Sequence, residues 1–159
     1  MKRFLSILLE NESGSLSRVV GLFSQRGYNI ESLNVAPTED PSISKMTVQT
    51  IGNEKVIAQI EKQLQKNINV LNVFEIKKNK HLQKEIILIK INIINKEKKE
   101  ILEIIKTFQG KIVLKKNICN IIQLSETHEN INKFLKLIEE KTSILELTRS
   151  GIISVTKLK

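Results

Sequence analysis

A short apolar run over residues 4–9 gives way, after a polar turn, to Leu16, Val19, Val20 and Phe23 at i, i+3, i+4 and i+7. That spacing puts one apolar face on a helix, so a strand is expected to open through a turn onto an amphipathic helix. Gly27 follows the last helical turn, where a left-handed cap is usual. Residues 28–36 are β-like and stop at Pro37, and Asp40-Pro41 makes a turn. Residues 44–51 alternate, with Met46, Val48 and Thr50 on one side, and Gly52-Asn53 breaks that strand. A second helix is expected over 54–66, with Ile57, Ile60 and Leu64 as its apolar stripe, and a strand over 70–76.

The order then recurs. After a polar linker, 77–83, comes a strand over 85–93 and a helix over 96–108 carrying Ile101, Ile104, Ile105 and Phe108, stopped by Gly110. Strands at 111–115 and 118–124 form a hairpin around Lys116-Asn117. A helix over 128–141 bears Ile131, Phe134, Leu135 and Ile138, a strand follows at 143–148, and 152–159 is an extended tail. Both halves read as βαββαβ. The fold class is α+β, two ferredoxin-like units in tandem, each an antiparallel sheet with helices on one face. The expected division is 1–76, a linker at 77–83, and 84–159. The bare face of each sheet must be covered, and pairing between subunits is the simplest cover, so a homodimer is expected.

Composition changes this picture little. A chain of 159 residues can bury roughly 70% of its unfolded surface, enough for ordinary cores. The 26 Ile, 22 Lys and 14 Asn against 2 Ala read as a coding bias, so Gly, Pro, Arg and Ser carry more information. The net charge of +9 lies wholly in the second half: residues 1–76 hold 8 basic and 8 acidic side chains, and 77–159 hold 18 and 9. A small basic run stands at Lys77, Lys78 and Lys80. Cys119, the single cysteine, falls in an apolar run and is expected to be a buried thiol in a reducing cytosol. The initial apolar run ends at Glu10 and is too short for a signal sequence, and no segment approaches the roughly 20 apolar residues of a membrane span. A cytoplasmic location is expected.

Catalysis needs a nucleophile with a base, a metal, or paired carboxylates. His81 and His128 are far apart in sequence and read as exposed surface residues, and Asp40 is the lone aspartate. No CxxC, HExxH, P-loop or GxGxxG pattern occurs. No catalytic residue and no metal ligand is assigned. RNA-recognition modules share this strand order but display aromatics on their central strands. Residues 44–51 and 118–124 contain none.

What remains is a binding module. Glu12-Ser13-Gly14-Ser15-Leu16 places backbone N–H groups at a helix start, where orphan amides and the helix dipole favour a carboxylate. Asn11 and Asn29 are expected on adjoining loops, where amides could serve both ends of an amino acid. Either Asn could equally be a turn residue bonding backbone.

The run from Leu8 to Val19, then Gly21-Leu22-Phe23-Ser24 and Arg26-Gly27-Tyr28-Asn29-Ile30-Glu31-Ser32-Leu33, resembles the regulatory (small) subunits of acetolactate synthase, also called acetohydroxyacid synthase. The likeness continues through Pro37, Met46-Thr47 and Ile60-Glu61-Lys62-Gln63-Leu64. It thins to Glu85-Ile86-Ile87-Leu88-Ile89-Lys90, Phe108-Gln109-Gly110 and Arg149-Ser150-Gly151, with departures at Gln109 and Leu114. The resemblance implies an N-terminal ACT domain and a second ACT-like domain, without an active site. It implies a catalytic (large) subunit as partner, holding thiamine diphosphate, Mg²⁺ and FAD, whose activity this chain raises and makes sensitive to valine. No cofactor is then expected on this chain. Valine would lie between two ACT domains, with Asn11, Gly14, Ser15 and Leu16 on one side and Asn29, Ile30 and Val35 from the neighbouring subunit. A free-standing ACT-type amino-acid sensor and a weak nucleic-acid binder are the alternatives.

Overall fold

The computed structural model describes all residues except Lys78, Asn95 and Lys159, so part of the basic run at 77–80 lies outside the described residues. Two compact units emerge, one of residues 1–82 with 151–159 and one of residues 83–150.

In the first unit, β1 (Lys2–Glu10), α1 (Ser15–Gln25), β2 (Ile30–Pro37), β3 (Ile43–Ile51), α2 (Glu54–Leu64) and β4 (Val70–Glu75) follow the expected order. The sheet runs β2-β3-β1-β4, antiparallel at each pairing. The register sets Leu5 opposite Val48 and Ile7 opposite both Met46 and Val73, so one face of the sheet is apolar. Val19 and Phe23 of α1 and Ile57, Ile60 and Leu64 of α2 close over that face, with Phe23, Ile60 and Leu64 fully buried.

The opposite face is not bare. Thr47 pairs with both Ser6 and Asn34, and Ser6 pairs with Phe74, a largely polar row across the sheet. Ser6, Thr47 and Gln49 on this face are nevertheless buried. Residues from 151 onward lie against part of this face. The Lys45 ammonium donates to the Ser154 carbonyl at 2.7 Å, the Lys157 N–H donates to the Lys80 carbonyl at 2.9 Å, and Gly151 sits against Ser32 and Asn34. Ile152 and Ser154 are buried in turn. The sequence pattern placed this segment with the second half; the structure places it against the first sheet.

The second unit contains β5 (His81–Asn92) from Gln83 onward, α3 (Lys98–Thr107), β6 (Lys111–Lys116), β7 (Cys119–Glu126), α4 (His128–Glu139) and β8 (Ile144–Thr156) through Ser150. Its strand order, β6-β7-β5-β8, repeats that of the first. Ile87, Ile89, Ile91, Ile122 and Leu124 face Ile101, Ile105, Ile131, Phe134 and Ile138 of the helices. The rings of Phe108 and Phe134 meet edge to face at 5.6 Å. Two boundaries and one burial differ from expectation. β5 begins at His81, inside the presumed linker. β8 is one strand and does not stop at residue 148, because Gly151, at φ +77°, redirects the backbone without ending it. Cys119 is only half-buried at the edge of β7. No helix among the described residues is long and apolar enough to cross a membrane.

Candidate functional site

α2 and α4 begin with side-chain caps: Asn53 accepts from the Val56 N–H, and Thr127 from the Asn130 N–H. α1 begins on Gly14 and, like α3 on Glu97, has no side-chain cap; the Ser15 N–H donates to the Glu12 carbonyl at 3.2 Å, and no side chain caps the amides that follow it. Gly14 has φ +87°, and a Cβ built there would meet nothing within 4 Å. The glycine is required by backbone conformation; the space beside it is open. Next to it the Ser15 side chain is 1% exposed, and its hydroxyl has no hydrogen-bond partner among the described residues. A buried, unmade hydroxyl bond at an uncapped helix start is costly unless something completes it. Leu16, more than a third exposed, supplies an apolar flank.

The turn is braced from two sides. The Asn11 amide donates to the Pro41 carbonyl at 2.9 Å, and the Asn11 N–H to the Ser42 carbonyl at 2.7 Å, tying it to the β2–β3 turn. That turn is organised by Asp40, which accepts from the Ser42 hydroxyl and N–H; these bonds lower the pKa of the Asp40 carboxyl. On the other flank Arg18 donates to Asn69, and Asn69 donates to Glu10 at 2.7 Å. Asn69 is buried. Sequence reasoning missed this Arg18–Asn69–Glu10 chain, since Asn69 follows α2 and nothing local links it to Glu10.

Asn29 and Ile30 are not beside Asn11 within the chain. Ile30 is level with Thr50, which pairs with Arg3, whereas Glu10 pairs with Ile43. At about 3.4 Å per residue, Asn29 stands roughly 30 Å along the sheet from Asn11. α1 carries the chain back before β2 starts, so β2 runs in the same direction as β1 and the two loops occupy opposite ends. Val35, level with Met46 and Ile7, lies nearer the turn. The Asn29 carbonyl accepts from the Thr50 hydroxyl at 2.6 Å, and its side chain is exposed.

In the second unit, His128 is not the exposed surface residue expected. Its Nδ1 lies 3.0 Å from Glu85 Oε2, with the imidazole 22% and the carboxylate 3% exposed. Arg149 grips the same carboxylate through two nitrogens and reaches Asn132. Burial pushes the Glu85 carboxyl up, but hydrogen bonds and charge from Arg149 and His128 outweigh it and hold the group below the ordinary carboxylate range. His81, likewise partly covered, stacks on Phe74 and accepts from the Lys77 N–H. No general base with a nucleophile appears in these arrangements; the Glu85 cluster is an internally satisfied tie.

Comparison with known proteins fits this organisation. Residues 5–72 match the family described as "AHAS small subunit-like ACT domain", and residues 84–158 match "Small subunit of acetolactate synthase". The acetolactate synthase small subunit of Buchnera aphidicola subsp. Schizaphis graminum is 54% identical over 99% of both chains. The isozyme 3 small subunit of Escherichia coli is 48% identical over 99% of this chain and 96% of its own length. The crystal structure of the acetolactate synthase small subunit from Thermotoga maritima superposes with a TM-score of 0.90 at 30% identity, covering 100% of this chain and 99% of that one. With both units matched in sequence and the whole fold matched in space, the chain belongs to the acetolactate synthase small-subunit family.

Proposed function

We propose that this protein is the non-catalytic regulatory subunit of an acetolactate synthase in branched-chain amino-acid biosynthesis, working in the cytoplasm. It binds a separate catalytic subunit, raises its rate and makes it sensitive to valine. The thiamine diphosphate, Mg²⁺ and FAD chemistry resides on that partner. The observation that carries the ligand reading is the uncapped start of α1, with the unpartnered Ser15 hydroxyl buried beside Gly14. Backbone amides of this turn receive the valine carboxylate, and Leu16 meets its branched side chain.

The opposite placement of Asn11 and Asn29 then has a use. β2 is one of the two edge strands of its sheet. Two β2 edges paired antiparallel about a two-fold axis bring the Asn29–Ile30 end of one protomer beside the Asn11–Leu16 turn of its mate. Asn29, Ile30 and Val35 complete the site from the neighbouring subunit.

The test is reconstitution: purified chain is titrated into the catalytic subunit and acetolactate formation is followed with and without valine. The chain alone makes no product, the partner's rate rises to a plateau, and valine lowers it. A partner rate that never changes sinks the proposal. Valine binding without any effect on the partner would favour a free-standing sensor.

A further inference from the structure

The second unit carries a cavity that the regulatory reading does not use. It has a volume of about 140 Å³ and lies between the start of α3 and the β6–β7 hairpin. Its apolar lining is Ile93, Leu102, Ile112 and Ile118. An engineered apolar cavity of about 150 Å³ accommodates benzene, so the space suits a ligand body of five or six heavy atoms. The polar lining has one sign of charge: Lys98 and Lys115, with the amides of Asn117 and Asn120.

Some lysines of the unit are paired with carboxylates and others, these two among them, are not. Lys84, Lys90 and Lys141 each meet a carboxylate, on Glu126, Glu146 and Glu100. Among the described residues, neither Lys98 nor Lys115 has such a partner. Glu100, one turn into α3, is already engaged by Lys141 at 2.5 Å. The hairpin wall is held in shape: Asn117 takes φ +54° at the turn, and the Asn120 side chain, 3% exposed, donates to the Ile118 carbonyl at 2.7 Å.

We infer that this cavity binds a short, branched aliphatic carboxylate that carries no amino group. The carboxylate meets Lys98 and Lys115, and its branched end lies on the four apolar side chains. An α-amino acid is disfavoured, because its ammonium would enter beside two lysines with no carboxylate in the lining to receive it. The discrimination is opposite to that proposed for the α1 turn, which receives an amino acid.

Titration of the full-length, ¹⁵N-labelled protein with 3-methylbutanoate tests this. Amide resonances of Ile93, Leu102, Ile112 and Ile118 should shift and saturate. Valine at equal concentration should leave them in place, whatever it does near Gly14, so the two sites are read separately. 3-Methylbutan-1-ol, with the same skeleton and no charge, should bind at least tenfold more weakly. Lys98→Gln with Lys115→Gln should weaken 3-methylbutanoate about tenfold, the size of two partly exposed ion pairs. Both lysines are exposed, and the same spectra report whether the variant is folded. No saturable shift at those four residues, equal binding of the alcohol, or undiminished binding by the folded double variant would each overturn the inference.

Discussion

Glu85 and Arg149 meet side to side, Arg149 Nε 2.7 Å from Oε1 and Nη2 2.8 Å from Oε2, an in-plane fork joining β5 to β8. Both residues belong to short runs that carried the family resemblance in the second half, and this contact gives the two runs a shared structural role. A carboxylate 3% exposed cannot keep its charge there without a partner.

Arg149→Leu should therefore destabilise the protein by about 3–5 kcal/mol, the usual cost of stranding one member of a buried pair. Replacing both residues with leucine should cost clearly less than the two single changes added together. Urea unfolding of the three variants measures this; additive losses would show that the pair is not coupled.

The same contact sets an acid response. The Glu85 carboxyl is held below its ordinary value of 4.5 in the folded chain. Its contribution to stability is complete above that value and is lost as pH falls through the lowered one. Glu85→Gln should be less stable at neutral pH and should lose part of the decline in stability below pH 4.5. An unchanged slope of unfolding free energy against pH would place the acid sensitivity elsewhere.

At Gly14 the backbone and the charge can be separated. Either Asp or Asn must adopt φ +87°, at a cost of about 1 kcal/mol, and each finds open space. Only Asp adds a negative charge near the proposed ligand carboxylate. Two like charges about 4 Å apart at an effective dielectric of about 20 repel by roughly 4 kcal/mol, close to a thousandfold in affinity. Gly14→Asp should abolish valine inhibition in the reconstituted enzyme and leave activation largely intact, while Gly14→Asn should retain most of the inhibition. Equal valine responses in the two variants would remove the anion from this turn.

Gly151 has no such room. A Cβ there would approach Ser32 Oγ to 2.6 Å, at φ +77°. Gly151→Ala should lower stability by about 1–3 kcal/mol, and Ser32→Gly in the same chain should recover the steric part and leave the conformational part. Thermal unfolding of the single and double variants checks this; no difference between them would mean that Ser32 rotates aside freely.

The elements were legible in the chain because local periodicity determines them: Leu16, Val19 and Phe23 or Ile131, Phe134 and Ile138 announce a helix face wherever they occur. Gly14 was legible for a similar reason, as a glycine at a helix start. Contacts set by topology were not. Asn11 and Asn29 flank one helix in sequence, but that helix spans the length of the sheet and separates them. His128 looked like a surface residue because its partner, Glu85, lies in another strand 43 positions away. The contact of Gly151 and Ser154 with Ser32, Asn34 and Lys45 was invisible because both come from a segment that local pattern assigns to the second half.

That contact also fixes an order of events during synthesis. Residues 1–82 leave the ribosome with their apolar core complete, but the strand that lies over Ser32, Asn34 and Lys45 is made only after all of 83–150. At about 5–20 residues per second, the polar face of the first sheet spends roughly three to fifteen seconds open on each nascent chain. During that interval the Ser6–Thr47 row is exposed to any extended segment within reach, including the same row on a neighbouring polysome. The buried hydroxyls and amides of that face fit this history, because water can satisfy serine, threonine and glutamine while they wait, where a row of isoleucines would have adhered to the first strand it met.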